Sequence, residues 1–229
     1  TQGTWTWFST STAGDVPTAR SYHKAVWTGS EMIVWGGSYS AVYLGTGGRY
    51  DPIADTWSAT TITGAATNRA LHTAVWTGSE MIVWGGYNGS TYTYTGSRYN
   101  PSTDTWQATA TSGAPSPRAR HAAVWTGSDM IVWGGSDGGT YFSTGSRYNP
   151  VSDTWTATTI SGAPERREDP AAIWTGTEMI VWGGFRTGPN TYFNTGGRYN
   201  PIADTWSATT TSGAPSGRLF HSSVWTGTE

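Results

Sequence analysis

Short apolar runs recur along the chain and are separated by clusters of glycine, threonine and serine. In one copy of the pattern, His72–Thr77 contains Ala-Val-Trp and Glu80–Trp84 contains Met-Ile-Val-Trp, whereas Asp104–Ala110 alternates polar and apolar residues. A continuous apolar run predicts a strand that is buried on both faces, and alternation predicts a strand with one face in water. Together with Ser97–Asn100, which Pro101 ends, each copy predicts four strands, here named A to D.

The pattern repeats at a fixed interval. Its first tryptophan is Trp27, which returns every 49 residues at Trp76, Trp125 and Trp174 and appears once more at Trp225. A repeat of this length is one supersecondary unit that cannot bury its own faces, so neighbouring units must stack. Radially stacked four-stranded antiparallel sheets satisfy this requirement, with strand A nearest the axis and strand D at the rim. The predicted fold class is therefore all-β: a β-propeller with four complete blades and partial blade strands at both termini.

The ends of the chain do not complete a blade. Thr4–Ser9, around Trp7, predicts an outer strand D, and His221–Thr226 predicts an inner strand A. Three explanations stay open: the chain is a window from a longer array, its open edges pair with another copy, or the end strands are frayed. The predicted single array has an outer strand and loop at 1–19, blades at 20–68, 69–117, 118–166 and 167–217, and an inner strand at 218–229.

Four motifs occur in the same order in the copies. In the second copy they are Arg69 with His72, Gly85-Gly86, Tyr99-Asn100-Pro101 and Asp104-Thr105-Trp106. This arrangement resembles the kelch repeat, in the form of a bacterial kelch-like repeat protein; the fourth copy departs from it by having Pro170 where the others have histidine. The resemblance covers nearly the whole chain. It implies a β-propeller that acts as a binding or interaction module, although a minority of the family are enzymes.

Composition narrows the choice of partners. The net charge is −2 and no stretch concentrates basic residues, which argues against nucleic acid. No apolar run approaches the roughly 20 residues that span a bilayer. Cysteine is absent, which excludes disulfides, thiolate metal sites and the Cys–Tyr cross-link that kelch-type copper oxidases need. Lys24 is the single lysine and the surface must be rich in Thr, Ser, Gly and Asn, so we predict an extracellular or cell-surface location.

The copies differ mainly in two sets of loops. In an up-and-down blade the B–C and D–A loops share one face of the disc, here called the variable face. Loops on a rigid frame carry function more often than the frame does, so we predict that this face binds a protein or a glycan. The candidate ligand-binding residues are Tyr22, Tyr39, Leu71, Tyr87, Arg120, Asp137, Phe142, Asp169, Phe185, Arg186, Phe193 and Phe220.

Other repeated residues favour structural roles. The aspartates that open strand D are predicted to accept hydrogen bonds from backbone donors, and the repeated arginines to tie blades together through carbonyls. His23, His72, His121 and His221 suggest a metal ring, but Pro170 interrupts it, so neither a metal nor another cofactor is predicted. No catalytic set occurs, and a non-enzymatic binding module is the leading prediction. The alternative is a building block that self-assembles through open blade edges into an oligomer or fibre, and an enzyme, glycan-active or other, is third.

Overall fold

The computed structural model describes residues 9–12 and 14–229 and contains only strands and turns within them. No helix among these residues is long and apolar enough to cross a membrane. The strands are β1 Lys24–Trp27, β2 Met32–Trp35, β3 Ser38–Tyr39, β4 Val42–Tyr43, β5 Gly47–Asp51, β6 Thr56–Ala59, β7 Thr73–Trp76, β8 Met81–Trp84, β9 Gly96–Asn100, β10 Thr105–Ala108, β11 Ala122–Trp125, β12 Met130–Trp133, β13 Gly145–Asn149, β14 Thr154–Ala157, β15 Ala171–Trp174, β16 Met179–Trp182, β17 Phe185–Arg186, β18 Thr191–Tyr192, β19 Gly196–Asn200 and β20 Thr205–Ala208.

These strands form four antiparallel sheets of four strands each. Blade 1 has the order β1-β2-β5-β6, blade 2 is β7 to β10, blade 3 is β11 to β14, and blade 4 has the order β15-β16-β19-β20. The short pairs β3–β4 and β17–β18 are hairpins within B–C loops. The inner strands β1, β7, β11 and β15 are neighbours in that order, so strand A lies nearest the axis, as predicted. The all-β blade architecture is confirmed.

Burial follows the hydrophobic pattern. β8 and β12 are buried at every position, whereas β10, β14 and β20 bury only their central tryptophan. The cores therefore lie between neighbouring blades, because the two faces of strand B contact different neighbours. The junction of blades 2 and 3 is typical and combines Val75, Ile82 and Trp84 with Met130, Val132, Tyr148 and Trp155.

The repeated aspartate that opens strand D links consecutive blades. Asp104 has a φ of 50°, and its Oδ1 accepts hydrogen bonds from the Tyr99 hydroxyl at 2.6 Å and the Thr61 amide of the preceding blade at 3.0 Å. The Thr61 amide and then the Tyr99 hydroxyl lower the pKa of this carboxyl. Asp153 and Asp204 repeat both contacts. The prediction that these acids satisfy backbone donors is confirmed.

The two predicted end strands have different outcomes. Residues 4–8 of the predicted outer strand lie outside the described part of the chain. His221–Thr226 pairs with no strand of the described residues, so the prediction of an inner strand there is wrong in that detail. The segment still takes the place of an inner strand: the Gly184 amide donates to the Arg218 carbonyl at 2.8 Å, and His221 lies edge-on to Trp182. Without a strand B beside it, no ladder forms.

Candidate functional site

The D–A and B–C loops meet on one face of the array. Isolated antiparallel bridges join them in every blade, pairing Ser21 with Ser38, Ala70 with Tyr87, Ala119 with Ser136 and Glu168 with Phe185. Each bridge forms just before the inner strand begins. The loops that vary between copies are therefore held together at the centre of the variable face.

A chain of backbone hydrogen bonds runs around the axis through Tyr22, Leu71, Arg120 and Asp169. The Leu71 amide donates to the Tyr22 carbonyl at 3.4 Å, the Arg120 amide to Leu71 at 3.0 Å, and the Asp169 amide to Arg120 at 2.8 Å. All four have φ between 51° and 59°, a region that residues other than glycine rarely adopt. We call these four residues the axial ring. The scaffold fixes its backbone and leaves its side chains free to differ.

One ion pair crosses the axial ring. Arg120 Nη1 donates to Asp169 Oδ2 at 2.8 Å, in the geometry of a charge-assisted hydrogen bond. Burial raises the pKa of the Asp169 carboxyl, although Arg120 and Lys24 act in the opposite direction. Burial acts to lower the pKa of Arg120, but Asp169 and Glu168 outweigh it and raise that pKa. Lys24 belongs to blade 1 and Asp169 to blade 4, so the charge of Lys24 acts on a carboxyl of a distant blade.

Five predicted aromatic residues, one of them Tyr22 of the axial ring itself, belong to the variable face. Tyr22 is 57 % exposed, Tyr39 is 58 % exposed, and Phe220, with a φ of 58°, is 73 % exposed. Tyr87 and Phe185 are half-buried, and each packs against a tyrosine of its own B–C loop at 4.9 Å between ring centroids. These five rings lie on the variable face, where the structure brings them near the loops that carry the axial ring.

Four other predicted site residues contact neighbouring groups of the fold. Phe193 is 5 % exposed and lies 3.9 Å from the Arg167 guanidinium, and Phe142 lies 4.3 Å from that of Arg118. Asp137 accepts hydrogen bonds from the amides of its own loop at Gly139 and Thr140. Arg186 pairs with Glu165. Phe193 is therefore part of the core, whereas Asp137, Phe142 and Arg186 are partly exposed and remain predicted residues of the candidate surface.

Three buried arginines donate hydrogen bonds to backbone carbonyls beneath the variable face. Arg69, Arg118 and Arg167 are at most 1 % exposed, and burial lowers the pKa of each to about 10. Nη1 of Arg69 donates to the carbonyls of Gly85 at 2.9 Å and Thr95 at 2.7 Å. Five donors in a fixed fork suit this task. The predicted carbonyl-binding role of the arginines is confirmed.

The repeated histidines pack against tryptophan rings. His121 lies edge-on to Trp84 of the preceding blade at 5.2 Å, and its Nε2 is 2.7 Å from the Thr73 hydroxyl. Burial, followed by the nearby Arg118 charge, holds the pKa of His121 well below its usual value. Within the described residues no group of three or more His, Asp or Glu side chains is placed to hold a metal ion. The geometry is that of neutral core histidines.

The opposite face carries features that the sequence reasoning missed. Three cavities, of about 390, 370 and 420 Å³, lie between the A–B turn of one blade and the A–B and C–D turns of the next. A strand-A tryptophan lines each of them, at Trp76, Trp125 and Trp174 in turn. Each of these three tryptophans is half-buried, and part of its side chain lines the cavity. The signal was the coincidence, on one face in every copy, of a Thr-Gly-Ser or Thr-Gly-Thr turn with a Tyr-Asn-Pro or Tyr-Asp-Pro turn.

Two further cavities lie on the open sides of the array. One of about 300 Å³ is lined by Ile173, Ile180 and Trp182 of blade 4 together with the C-terminal segment, and another lies over Met32 and Val34 of blade 1. D–A loop residues also line both of these cavities, Arg218 in the first and Arg20 in the second.

The comparison with protein families identifies the repeat. The model of the KLHDC2/KLHL20/DRC7 Kelch-repeats domain matches residues 49–229, which is most of the chain. Among curated proteins no sequence matches. The matched region includes the axial ring from Leu71 onward and the second and third cavities between blades, whereas the wall of the first cavity at Thr28–Glu31 precedes it.

Proposed function

Since the chain belongs to the kelch-repeat family, whose domains generally mediate protein interactions, we propose that it binds a protein partner through the variable face. The proposed contact consists of the axial ring, which includes Tyr22, and the other exposed aromatic rings of the variable face. The proposal treats the chain as a binding module and not as an enzyme. The composition-based prediction of an extracellular or cell-surface location is part of the same proposal.

The single observation that carries the proposal is the exposure of Tyr22, Tyr39 and Phe220 on loops that the scaffold holds rigidly. Tyrosine and other aromatic residues are enriched in the centres of protein interfaces, where they bury large areas at a low entropic cost. This favours a protein over a glycan on this face.

Replacing Tyr22 and Tyr39 together by serine should weaken partner binding at least tenfold, because aromatic anchors at an interface centre contribute about 2–4 kcal/mol each. The measurement is affinity capture with the chain as bait, quantified by mass spectrometry, followed by titration of each recovered partner. The control is the double variant Ile53→Ser/Ile202→Ser, which changes two apolar side chains that are 93 % and 95 % exposed on the opposite face. Partners that bind the tyrosine variant and the original chain equally would refute the proposal.

A second candidate function is self-association through the open side of blade 4. Trp35, Trp84 and Trp133 are fully buried against a following blade, whereas their equivalent Trp182 is only half-buried. Ile180 is likewise half-buried where Ile82 is fully buried. The array therefore presents an apolar blade face on which no complete described blade is stacked. A blade of a second copy could stack on this face.

Light scattering tests this second candidate. We expect the purified chain to associate with increasing concentration and Ile180→Asp to restore a monomer, because a charge on this face opposes burial. Ile202→Asp, at an exposed turn, is the matched control and should leave the association unchanged. A monomer at every concentration would exclude self-association and would leave the variable-face proposal untouched.

A further inference from the structure

The three cavities on the face opposite the variable face, which we name the junction cavities, repeat one construction. The first lies between blades 1 and 2, the second between blades 2 and 3, and the third between blades 3 and 4. Each combines turn residues of one blade with a tryptophan, a glycine and a proline of the next blade. Their volumes of about 370 to 420 Å³ fall within the range of small-molecule sites.

The tryptophan of each junction cavity is held by the core. Trp125 ends strand β11, and part of its ring packs against the cluster between blades 2 and 3. The rest of the half-buried side chain lines the second cavity. Trp76 and Trp174 occupy equivalent places. An aromatic ring fixed in this way offers a rigid apolar surface to a ligand that enters the cavity.

The polar groups of the cavities also repeat. A carboxylate comes from the same turn position each time, as Glu31, Glu80 and Asp129, and serine hydroxyls come from Ser30, Ser79 and Ser128. A carboxylate accepts hydrogen bonds through two oxygens, and a hydroxyl both donates and accepts. Such a set matches a ligand that presents several neighbouring hydroxyl groups.

Charge favours a neutral ligand. In the second cavity, Arg98 Nη1 lies 3.5 Å from Glu80 Oε2, and in the third Arg147 lines the wall together with Asp129. Because an acid and a base share the walls of the second and third cavities, neither a cation nor an anion gains a strong preference there; in the first cavity Glu31 is the one charged residue of the lining. One aromatic ring per cavity also falls short of the several rings that enclose a quaternary ammonium group.

We propose that the junction cavities are three equivalent saccharide-binding sites. The apolar C–H face of a neutral pyranose stacks on Trp76, Trp125 or Trp174, and its hydroxyls donate to the turn carboxylate and exchange hydrogen bonds with the serine. Three like sites on one rigid face bind a polymeric or clustered glycan more tightly than a single sugar, because the later contacts are intramolecular. This site is on the face opposite the proposed protein-binding surface and does not depend on it.

Saturation-transfer difference NMR with glucose, galactose, mannose and N-acetylglucosamine tests the proposal, with isothermal titration of the best responder. We expect binding at three sites per chain and tighter binding of a surface that displays many copies of the sugar. The triple variant Glu31→Gln/Glu80→Gln/Asp129→Asn should reduce affinity at least tenfold, because an amide replaces an acceptor-only group by one that also donates. Its melting temperature shows whether the fold is intact.

Glu178→Gln provides the matched control. Glu178 holds the same turn position in blade 4 but lines none of the three junction cavities. This variant should bind the sugar like the original chain. The proposal is overturned if none of the four sugars receives saturation, if the folded triple variant binds as well as the original, or if Glu178→Gln loses binding to the same degree.

Discussion

Replacing Arg167 by alanine should lower the free energy of unfolding by about 3–5 kcal/mol, a large share of the 5–15 kcal/mol that stabilises a typical domain. Nη1 of Arg167 donates to the carbonyls of Gly183 at 3.0 Å and Thr195 at 2.8 Å. Its Nε donates to the backbone carbonyl of Glu165 at 2.7 Å. The guanidinium also covers the Phe193 ring at 3.9 Å. Alanine leaves three buried or part-buried carbonyls without this donor and opens a cavity beside the ring.

Urea unfolding followed by far-ultraviolet circular dichroism measures this loss. Arg166→Ala removes the same charge and serves as the control. Because Arg166 is exposed, this substitution should lower the free energy of unfolding by less than about 0.5 kcal/mol. Arg167→Lys should recover part of the stability, because an ammonium keeps the charge but lacks the planar fork. Equal losses for Arg166→Ala and Arg167→Ala would show that net charge, and not the buried fork, explains the effect.

The repeated pattern made the fold predictable from local signals. Continuous apolar runs at Met81–Trp84 and alternation at Thr105–Ala108 marked the inner and outer strands, because strand burial depends mainly on which faces meet a neighbour. The turn aspartates were also assigned correctly, since a short carboxylate beside free amides has few other partners. The C-terminal segment was less predictable. Residues 221–226 carry a strand-A sequence, but a ladder needs a second strand, and none pairs with them in the described part of the chain.

The candidate site was predictable only in outline. Variation between copies pointed to Tyr22, Leu71, Arg120 and Asp169, yet it could not show that their amides and carbonyls form a chain around the axis. That chain depends on how successive blades are set against each other, which no single repeat encodes. The burial of Phe193 was not predictable either. In the sequence it is a variable aromatic residue of a loop, but in the fold its ring is buried beneath Arg167. The junction cavities were missed for this reason too, because each takes its walls from two blades.

Replacing Trp133 by alanine should cost about 3–5 kcal/mol of unfolding free energy, as expected for a large buried ring. Trp133 is fully buried, packs 5.5 Å from Trp206 of the next blade between ring centroids, and donates from Nε1 to the Ser143 carbonyl at 3.0 Å. Alanine removes this contact and leaves the junction of blades 3 and 4 with a cavity.

The equivalent substitution Trp182→Ala should cost only about half as much, because less apolar area is buried and the cost scales with that area. Trp182 holds the same repeat position, and its described ring contact is with His221 of the C-terminal segment. Paired urea titrations of the two variants measure the difference directly. Equal losses at both positions would mean that the face of blade 4 is already as well covered in solution as the interior junctions. That result would point to self-association of the chain, since a copy stacked on Ile180 and Trp182 would bury them as a following blade buries Ile131 and Trp133.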